Sequence, residues 1–239
     1  MQYSIKDIYG SMTEAKRKSD GTMTAFLYRP LSYPVSWAFL ALGISPNAVT
    51  YISMVFCAAA FALSLIPHIA CHWAAIAFFL VFAVLDCSDG NMARTLKKKS
   101  LYGSWVDAAG GYLAYTTQLF SIGLSCFAFT GDVFLGVPLP LGGATWILFG
   151  AFAACCNLLM RLFHQSMKNA DLAAGLPFVP EREKRLSEEI GVTGYLPVLY
   201  AAGLATVLLP LVLSCYALVY AGGFFLMTIR QIKKVSRSI

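Results

Sequence analysis

Residues 70–107 read ACHWAAIAFFLVFAVLDCSDGNMARTLKKKSLYGSWVD. From Ala70 to Leu85 there is no Asp, Glu, Lys or Arg; then Asp86 and Asp89 arrive together, and Arg94, Lys97, Lys98 and Lys99 close the stretch. Carboxylates at the mouth of an apolar span are costly and signal function by default. Asp86 and Asp89 are three apart and Ala93 is seven from Asp86, so the three fall on one helix face. Gly103 and Asp107 are four apart on the segment that follows, and the short basic hairpin 94–102 makes the two segments antiparallel neighbours. Asp86, Asp89 and Asp107 are therefore expected to converge in a cytoplasm-facing cavity, where oxygen ligands select hard divalent cations such as Mg²⁺. Gly90 and Gly103 leave room for a ligand to approach the backbone, and Arg94 offers a bidentate donor to phosphate. The pattern describes a site for a nucleotide diphosphate.

The rest of the chain places this site in a membrane. Of 239 residues, 58% are hydrophobic and only 13% charged, and the mean hydropathy is +0.67. That is too apolar for a water-soluble domain, and it excludes disorder, a collagen-like repeat and a small disulfide scaffold. Six apolar segments can be marked, at about 47–66, 70–92, 104–130, 143–165, 193–208 and 210–229, with Pro210 taken as the break between the last two. The basic residues test the scheme independently: five lie in 1–46, four in 94–99, five in 161–185 and four in 230–237. Six spans put all four groups on one side, and the positive-inside rule makes that side, with both termini, cytoplasmic. The net charge of +6 then serves anionic headgroups and calls for no nucleic acid. The expected fold is an all-α integral membrane protein of six transmembrane helices. An amphipathic interfacial helix precedes them, in a segment broken by Pro30, Pro34 and Gly43.

The amino terminus lacks the apolar core and cleavage site of a signal peptide. The seven cysteines are scattered without metal-site spacing and read as small hydrophobes. Lys97, Lys98 and Lys99 read as topology determinants, His68 and His72 as interfacial residues, and Gly110, Gly111, Gly222 and Gly223 as close-packing faces.

Asp86-Cys-Ser-Asp89-Gly90-Asn-Met-Ala93-Arg94, followed by Gly103 and Asp107, resembles the signature of the CDP-alcohol phosphotransferase family, DxxDGxxARx8GxxxDxxxD. Ser45-Pro46-Asn47-Ala48-Val49-Thr50 is similar to the PNxxT segment that opens the family's first span. The resemblance implies a membrane phosphotransferase that moves a phosphoalcohol group, phosphatidyl as the first expectation, from a CDP-linked lipid or alcohol donor to an alcohol or phosphorylated acceptor. CMP is released, and the setting is phospholipid or related lipid or glycan synthesis. It implies nucleotide binding by Asp86, Asp89, Gly90, Ala93, Arg94, Gly103 and Asp107, and catalytic work by Asp86 and Asp107. Mg²⁺, with Mn²⁺ as the alternative ion, is implied on Asp86, Asp89 and Asp107. An acceptor site is expected near Asn157, Arg161 and His164, because family members that use phosphorylated alcohols hold the phosphate with basic residues from later spans. The implied organisation is a cytoplasmic juxtamembrane segment (1–45), a six-helix catalytic domain (46–230) and a basic cytoplasmic tail (231–239). It belongs to an inner, plasma or ER-type membrane, and the protein pairs as a homodimer.

The sequence departs from the signature at one position. The fourth Asp is expected at 111, where this chain has Gly111; in the family that carboxylate binds a second metal and deprotonates the attacking hydroxyl. Three readings stay open: a nucleotide binder without catalysis; an enzyme whose base is supplied by Asp107, Tyr112 or His164; or an acceptor, such as a phosphate or carboxylate, already ionised at neutral pH. A channel or transporter fits less well, since the carboxylates cluster at one end and no inverted repeat is visible.

Overall fold

A computed structural model describes residues 3–98, 100–173, 175 and 189–236. Lys99, the basic residues Arg182, Lys184 and Arg185, and the last three residues of the expected tail lie outside the described residues. The chain forms two compact units, one from 1–118 and 183–201, the other from 119–182 and 202–239.

In the first unit, helix boundaries follow local capping chemistry. Helix α1 (Ile5–Gly10) begins with a reciprocal box between Ser4 and Asp7, and α2 (Glu14–Ser19) begins with the Thr13 hydroxyl accepting from the Lys16 amide. A π-helical turn, Thr24–Tyr28, runs into α3 (Arg29–Ala41). Pro30 and Pro34 do not break this segment as expected: Pro30 sits in the first turn and the helix continues through Pro34. Helix α4 (Pro46–Ser64) starts on Ser45, whose hydroxyl accepts from the Ala48 amide, with Pro46 at the first helical position.

Helix α5 (Ile69–Thr95) starts at His68, whose ring Nδ1 accepts from the Ala70 amide. His72, expected at the interface, is fully buried. The helix stops immediately after Arg94 by a Schellman closure: the Lys97 amide donates to the Arg94 carbonyl and the Lys98 amide to the Ala93 carbonyl. Lys97 takes the left-handed conformation at φ 53° that the closure demands. The chain then turns into α6 (Leu101–Phe129).

The side of α3 that packs inward is polar. Arg29, Ser32 and Ser36 are buried, one stripe at i, i+3 and i+7, and they meet Ser88 and Asn91 of α5: Ser88 Oγ donates to the Ser32 carbonyl (3.2 Å), Asn91 Nδ2 to Ser32 Oγ (2.8 Å), and Ser36 Oγ to the Ser88 carbonyl (3.3 Å). Phe26, Leu31 and Leu42 are exposed on this segment. Apolar packing flanks the polar seam, with Tyr28, Ala83 and Cys87 forming one cluster and Val49, Leu85 and Met92 another. The segment at 189–201 belongs to the same unit. Glu189 accepts from both the amide and the hydroxyl of Thr22 (2.9 and 2.8 Å), and Tyr28 donates to the Gly194 carbonyl.

In the second unit, a hairpin of β1 (Val133–Phe134) and β2 (Val137–Pro138) turns through Leu135 and Gly136, both at positive φ, the mirror-image turn that suits two-residue hairpins. Helix α7 (Ala144–Ala173) follows. Here the close-packing glycines are not those expected. A Cβ on Gly123 would lie 2.7 Å from the Trp146 carbonyl, and one on Gly150 2.8 Å from the Leu119 carbonyl, so these two let the end of α6 and the start of α7 touch through backbone. Gly110 and Gly223 do face neighbours, Thr50 and Met160, whereas Gly111 and Gly222 face none within 4 Å. Helix α8 (Leu196–Ala205) and helix α9 (Leu209–Ser236) complete the chain, their break falling at 206–208 just before Pro210. Helix α9 runs past the expected end at 229 and holds Lys234 in an ion pair with Asp171 at 2.6 Å.

Among the described residues, four helices, α4, α5, α7 and α9, are long and apolar enough to cross a membrane. Two of the six expected spans differ. Helix α6 is long enough but is not among the four; Thr117, Gln118, Ser121 and Ser125 are buried along it. Helix α8 has 10 residues, about 15 Å at 1.5 Å per residue against a hydrocarbon core of about 30 Å. All seven cysteines are free thiols, and Cys57, Cys87, Cys126 and Cys156 are buried.

Candidate active site

Every signature residue from Asp86 to Asp107 belongs to the first unit, on the end of α5 and the start of α6, and the first turn of α4 ties the two together. Thr50 Oγ1 donates to Asp89 Oδ2 at 2.5 Å, and the Thr50 methyl meets Gly110 of α6. One turn earlier, Asn47 Oδ1 lies 3.2 Å from where a Cβ on Gly103 would stand. The two polar residues of the Pro46–Thr50 segment thus reach one signature residue each, because Pro46 and Ser45 start the helix where its first turn faces both neighbours.

The three carboxylates differ in setting. Asp89 is buried, at 5% exposure, while Asp86 is half-buried and Asp107 exposed. Asp86 and Asp107 both lie close enough to Asp89 to act on it electrostatically, and Lys16 of α2 acts likewise on Asp107. Both carboxylates therefore neighbour Asp89, but the three do not form a coordination sphere: among the described residues, no three His, Cys, Asp or Glu side chains are placed to hold a metal ion. The donor set nonetheless suits Mg²⁺ in kind. Three carboxylates repelling one another around a buried member are an arrangement that a hard divalent cation would neutralise.

The clearances at Gly90 and Gly103 are filled by the protein's own polar groups. Arg94 folds back over Gly90, its Nη1 3.3 Å from where a Cβ would be, and Asn47 and Ser100 crowd Gly103. A Cβ at either glycine would press on these side-chain ends, which would have to give by a few tenths of an ångström. Arg94 Nη2 donates to Asn91 Oδ1 at 2.8 Å, while its buried Nε has no hydrogen-bond partner among the described residues. A half-buried guanidinium with a spare donor suits an anion. Ala93, beside it, is half-buried.

A second cation, absent from the expected site, supports the first. Arg29 is buried, at 5% exposure; its Nε and Nη2 make a fork to Asp20 (3.0 Å each), and its Nη1 donates to the Cys87 carbonyl (3.1 Å) and to Asn91 Oδ1 (3.0 Å). Lys16 also pairs with Asp20, at 2.9 Å. Burial pushes the Asp20 carboxyl up, but the hydrogen bonds and charges of Arg29 and Lys16 outweigh it and hold the group below its ordinary value. A signal for Arg29 exists in the sequence: it is a lone charge inside FLYRPLSYP.

The expected acceptor residues belong to the second unit. On α7, Arg161 Nε donates to Asn157 Oδ1 at 3.1 Å; Asn157 is buried, and its Nδ2 has no hydrogen-bond partner among the described residues. His164 is one turn further on and half-buried. In the first unit, Tyr112 is half-buried, and a Cβ at Gly111 would meet nothing within 4 Å.

The family model of the CDP-alcohol phosphatidyltransferases matches residues 43–176, more than half of the chain. No curated protein matches it.

Proposed function

The chain belongs to the CDP-alcohol phosphatidyltransferase family, and from that premise we propose that it is a Mg²⁺-dependent membrane phosphotransferase that takes a CDP-linked donor and releases CMP. Membership and the four apolar helices make it an integral membrane protein whose family transfers a phosphoalcohol group from a CDP-alcohol. The observation that supports the finer reading is the electrostatic proximity of Asp86 and Asp107 to Asp89, together with an Arg94 Nε that has no hydrogen-bond partner among the described residues.

In this reading Arg94 and the signature glycines hold the diphosphate, and the CMP half rests on Asp86, Asp89, Gly90, Ala93, Arg94, Gly103 and Asp107. The carboxylates of Asp86, Asp89 and Asp107 would hold Mg²⁺ (or Mn²⁺), which when bound offsets the charge of the diphosphate and of departing CMP. Thr50 and the Gly90 amide hold the Asp89 carboxylate in place by hydrogen bonds. The acceptor's oxygen attacks the phosphorus of the non-CMP half, a phosphodiester forms, and the bond to CMP breaks with the charge leaving on CMP. The acceptor is an alcohol or phosphorylated alcohol, with Asn157, Arg161 and His164 as its contacts, and phospholipid synthesis is the first setting for such a product. Both termini and the site face the cytoplasm, as the basic residues direct, six segments cross the membrane, and the protein works as a homodimer.

With no carboxylate at 111, the proton of an alcohol acceptor would go to Asp107, Tyr112 or His164; an acceptor ionised at neutral pH needs no base. Gly111 also favours a second reading, a CDP-binding homologue without turnover. The two are separated by CMP release from the purified protein in nanodiscs with Mg²⁺ and CDP-diacylglycerol, across a panel of alcohols, phosphorylated alcohols and amino acids. Release that depends on one acceptor and is lost in Asp107→Asn supports the transferase. Mg²⁺-dependent CDP binding without release on any acceptor supports the binder.

A further inference from the structure

Asn91 is one of the variable positions of the signature, yet its side chain is fully buried and has every polar group engaged. Its Oδ1 accepts from two guanidiniums, Arg94 (2.8 Å) and Arg29 (3.0 Å), and its Nδ2 donates to Ser32 Oγ (2.8 Å). Ser32 in turn donates to the Arg29 carbonyl at 2.7 Å, and Arg29 is held by Asp20, which Lys16 also grips. The chain of contacts therefore runs from α2 through α3 to α5 and ends on Arg94.

We propose that Asn91 is a positioning residue for the CDP site: Arg29, braced by Asp20, and Ser32 fix the amide so that its oxygen points at Arg94, and that oxygen pins the guanidinium across Gly90 with Nε left free for a phosphate oxygen. This rests on the CDP-binding reading given above.

Three features favour a positioning role over plain packing. Two like charges converge on one neutral acceptor, an arrangement that repels unless something braces it, and Asp20 forks the Arg29 guanidinium directly while acting on Arg94 only through space. Among the described residues no carboxylate is bonded to Arg94, on which Asp20 and Asp89 act only through space, so its donors are not taken up by an ion pair. Third, Arg94 donates to Asn91 through Nη2 alone, which sets the direction of the guanidinium without consuming its fork. An apolar residue at 91 would leave Arg29 its ion pair with Asp20 and its bond to the Cys87 carbonyl, but would release Arg94.

The test is a double-mutant cycle on CDP binding by the full chain in detergent with Mg²⁺, read by equilibrium dialysis of labelled CDP. Removing the anchor in Asn91→Ala should weaken CDP by about tenfold, the size of a lost hydrogen bond to a charged group. Asn91→Asp, which keeps the acceptor but places a carboxylate against Arg94, should also weaken CDP, by about threefold or more, and Asn91→Ala/Arg94→Ala should bind no more weakly than Arg94→Ala alone. Independent, multiplying losses from the two alanine variants would overturn the proposal, as would an Asn91→Ala protein that binds like the natural one. Absence of CDP binding by the natural chain would overturn both this proposal and the functional reading beneath it. Should Asn91→Ala not yield a monodisperse helical protein, Ser32→Ala decides: freeing the amide to turn predicts a loss of about threefold that vanishes in the Arg94→Ala background, and no loss, or a loss that persists there, rejects it.

Discussion

The two halves of the signature are built in opposite ways. On α5, Asp89 and Asn91 are buried and bonded to residues from other segments of the chain, Thr50, Arg29 and Ser32. On α6, Asp107 is exposed and the space beside Gly111 is empty. A carboxylate held in a packed network is costly to move but keeps its geometry; one at an open surface can meet ligands of different shape. In the proposed reading, the α5 half would serve as a fixed nucleotide cradle and the α6 half as the face where acceptor and chemistry vary.

That contrast is sharpest if the two aspartates are neutralised separately. Asp107→Asn should lower CMP release by at least about a hundredfold, through lost electrostatic stabilisation of the leaving charge, while leaving thermal unfolding in detergent unchanged. Asp89→Leu should lose release as well and should also unfold earlier, because it removes the partner of Thr50 inside the packed half. Equal thermal effects of the two would break the comparison.

Next in size is the brace behind the α5 half. Arg29→Met strands Asp20 with only Lys16, and unpairing a buried charge costs about 3 kcal/mol, to be measured as a lower midpoint of denaturant unfolding. The same pair sets a pH dependence. Because the Asp20 carboxyl sits below its ordinary value in the folded chain, its contribution is complete above about pH 4 and is lost as pH falls through the lower folded value. Protection of the α2–α3 amides from hydrogen exchange should fall in that acid range, and in Arg29→Met the acid dependence should flatten.

The sequence makes some of this legible. Asp86, Asp89 and Asp107 could be brought together from spacing and a short hairpin alone, since helix periodicity fixes faces and few residues connect them. The Pro46–Thr50 segment was visible as a motif, but its contacts with Asp89 and Gly103 depend on how α4 docks. The buried polar face of α3 ran against the usual rule: Pro30 and Pro34 suggested a broken interfacial segment, whereas Arg29, Ser32 and Ser36 form a continuous inward stripe whose partners lie about 55 residues away. Four of the six marked segments lie in long apolar helices; the other two are the serine- and threonine-rich α6 and the short α8. Packing glycines were equally hard to choose, because Gly123 and Gly150 are separated in sequence and only tertiary contact marks them.

The hinge between the two halves gives the smallest effect. Lys97 adopts a left-handed conformation that glycine takes without penalty, so Lys97→Gly should raise stability by about 0.5–1 kcal/mol and leave CMP release unchanged. A loss of release would show that the lysine itself acts at the site.

The central claim is that this chain transfers phosphoalcohol groups with glycine at position 111. The most direct measurement compares acceptor-dependent CMP release by the natural protein and by Gly111→Asp, a substitution for which the structure has room. The account predicts release from the natural chain on its own acceptor. Release only after the carboxylate is introduced would contradict it and leave a CDP-binding protein in its place.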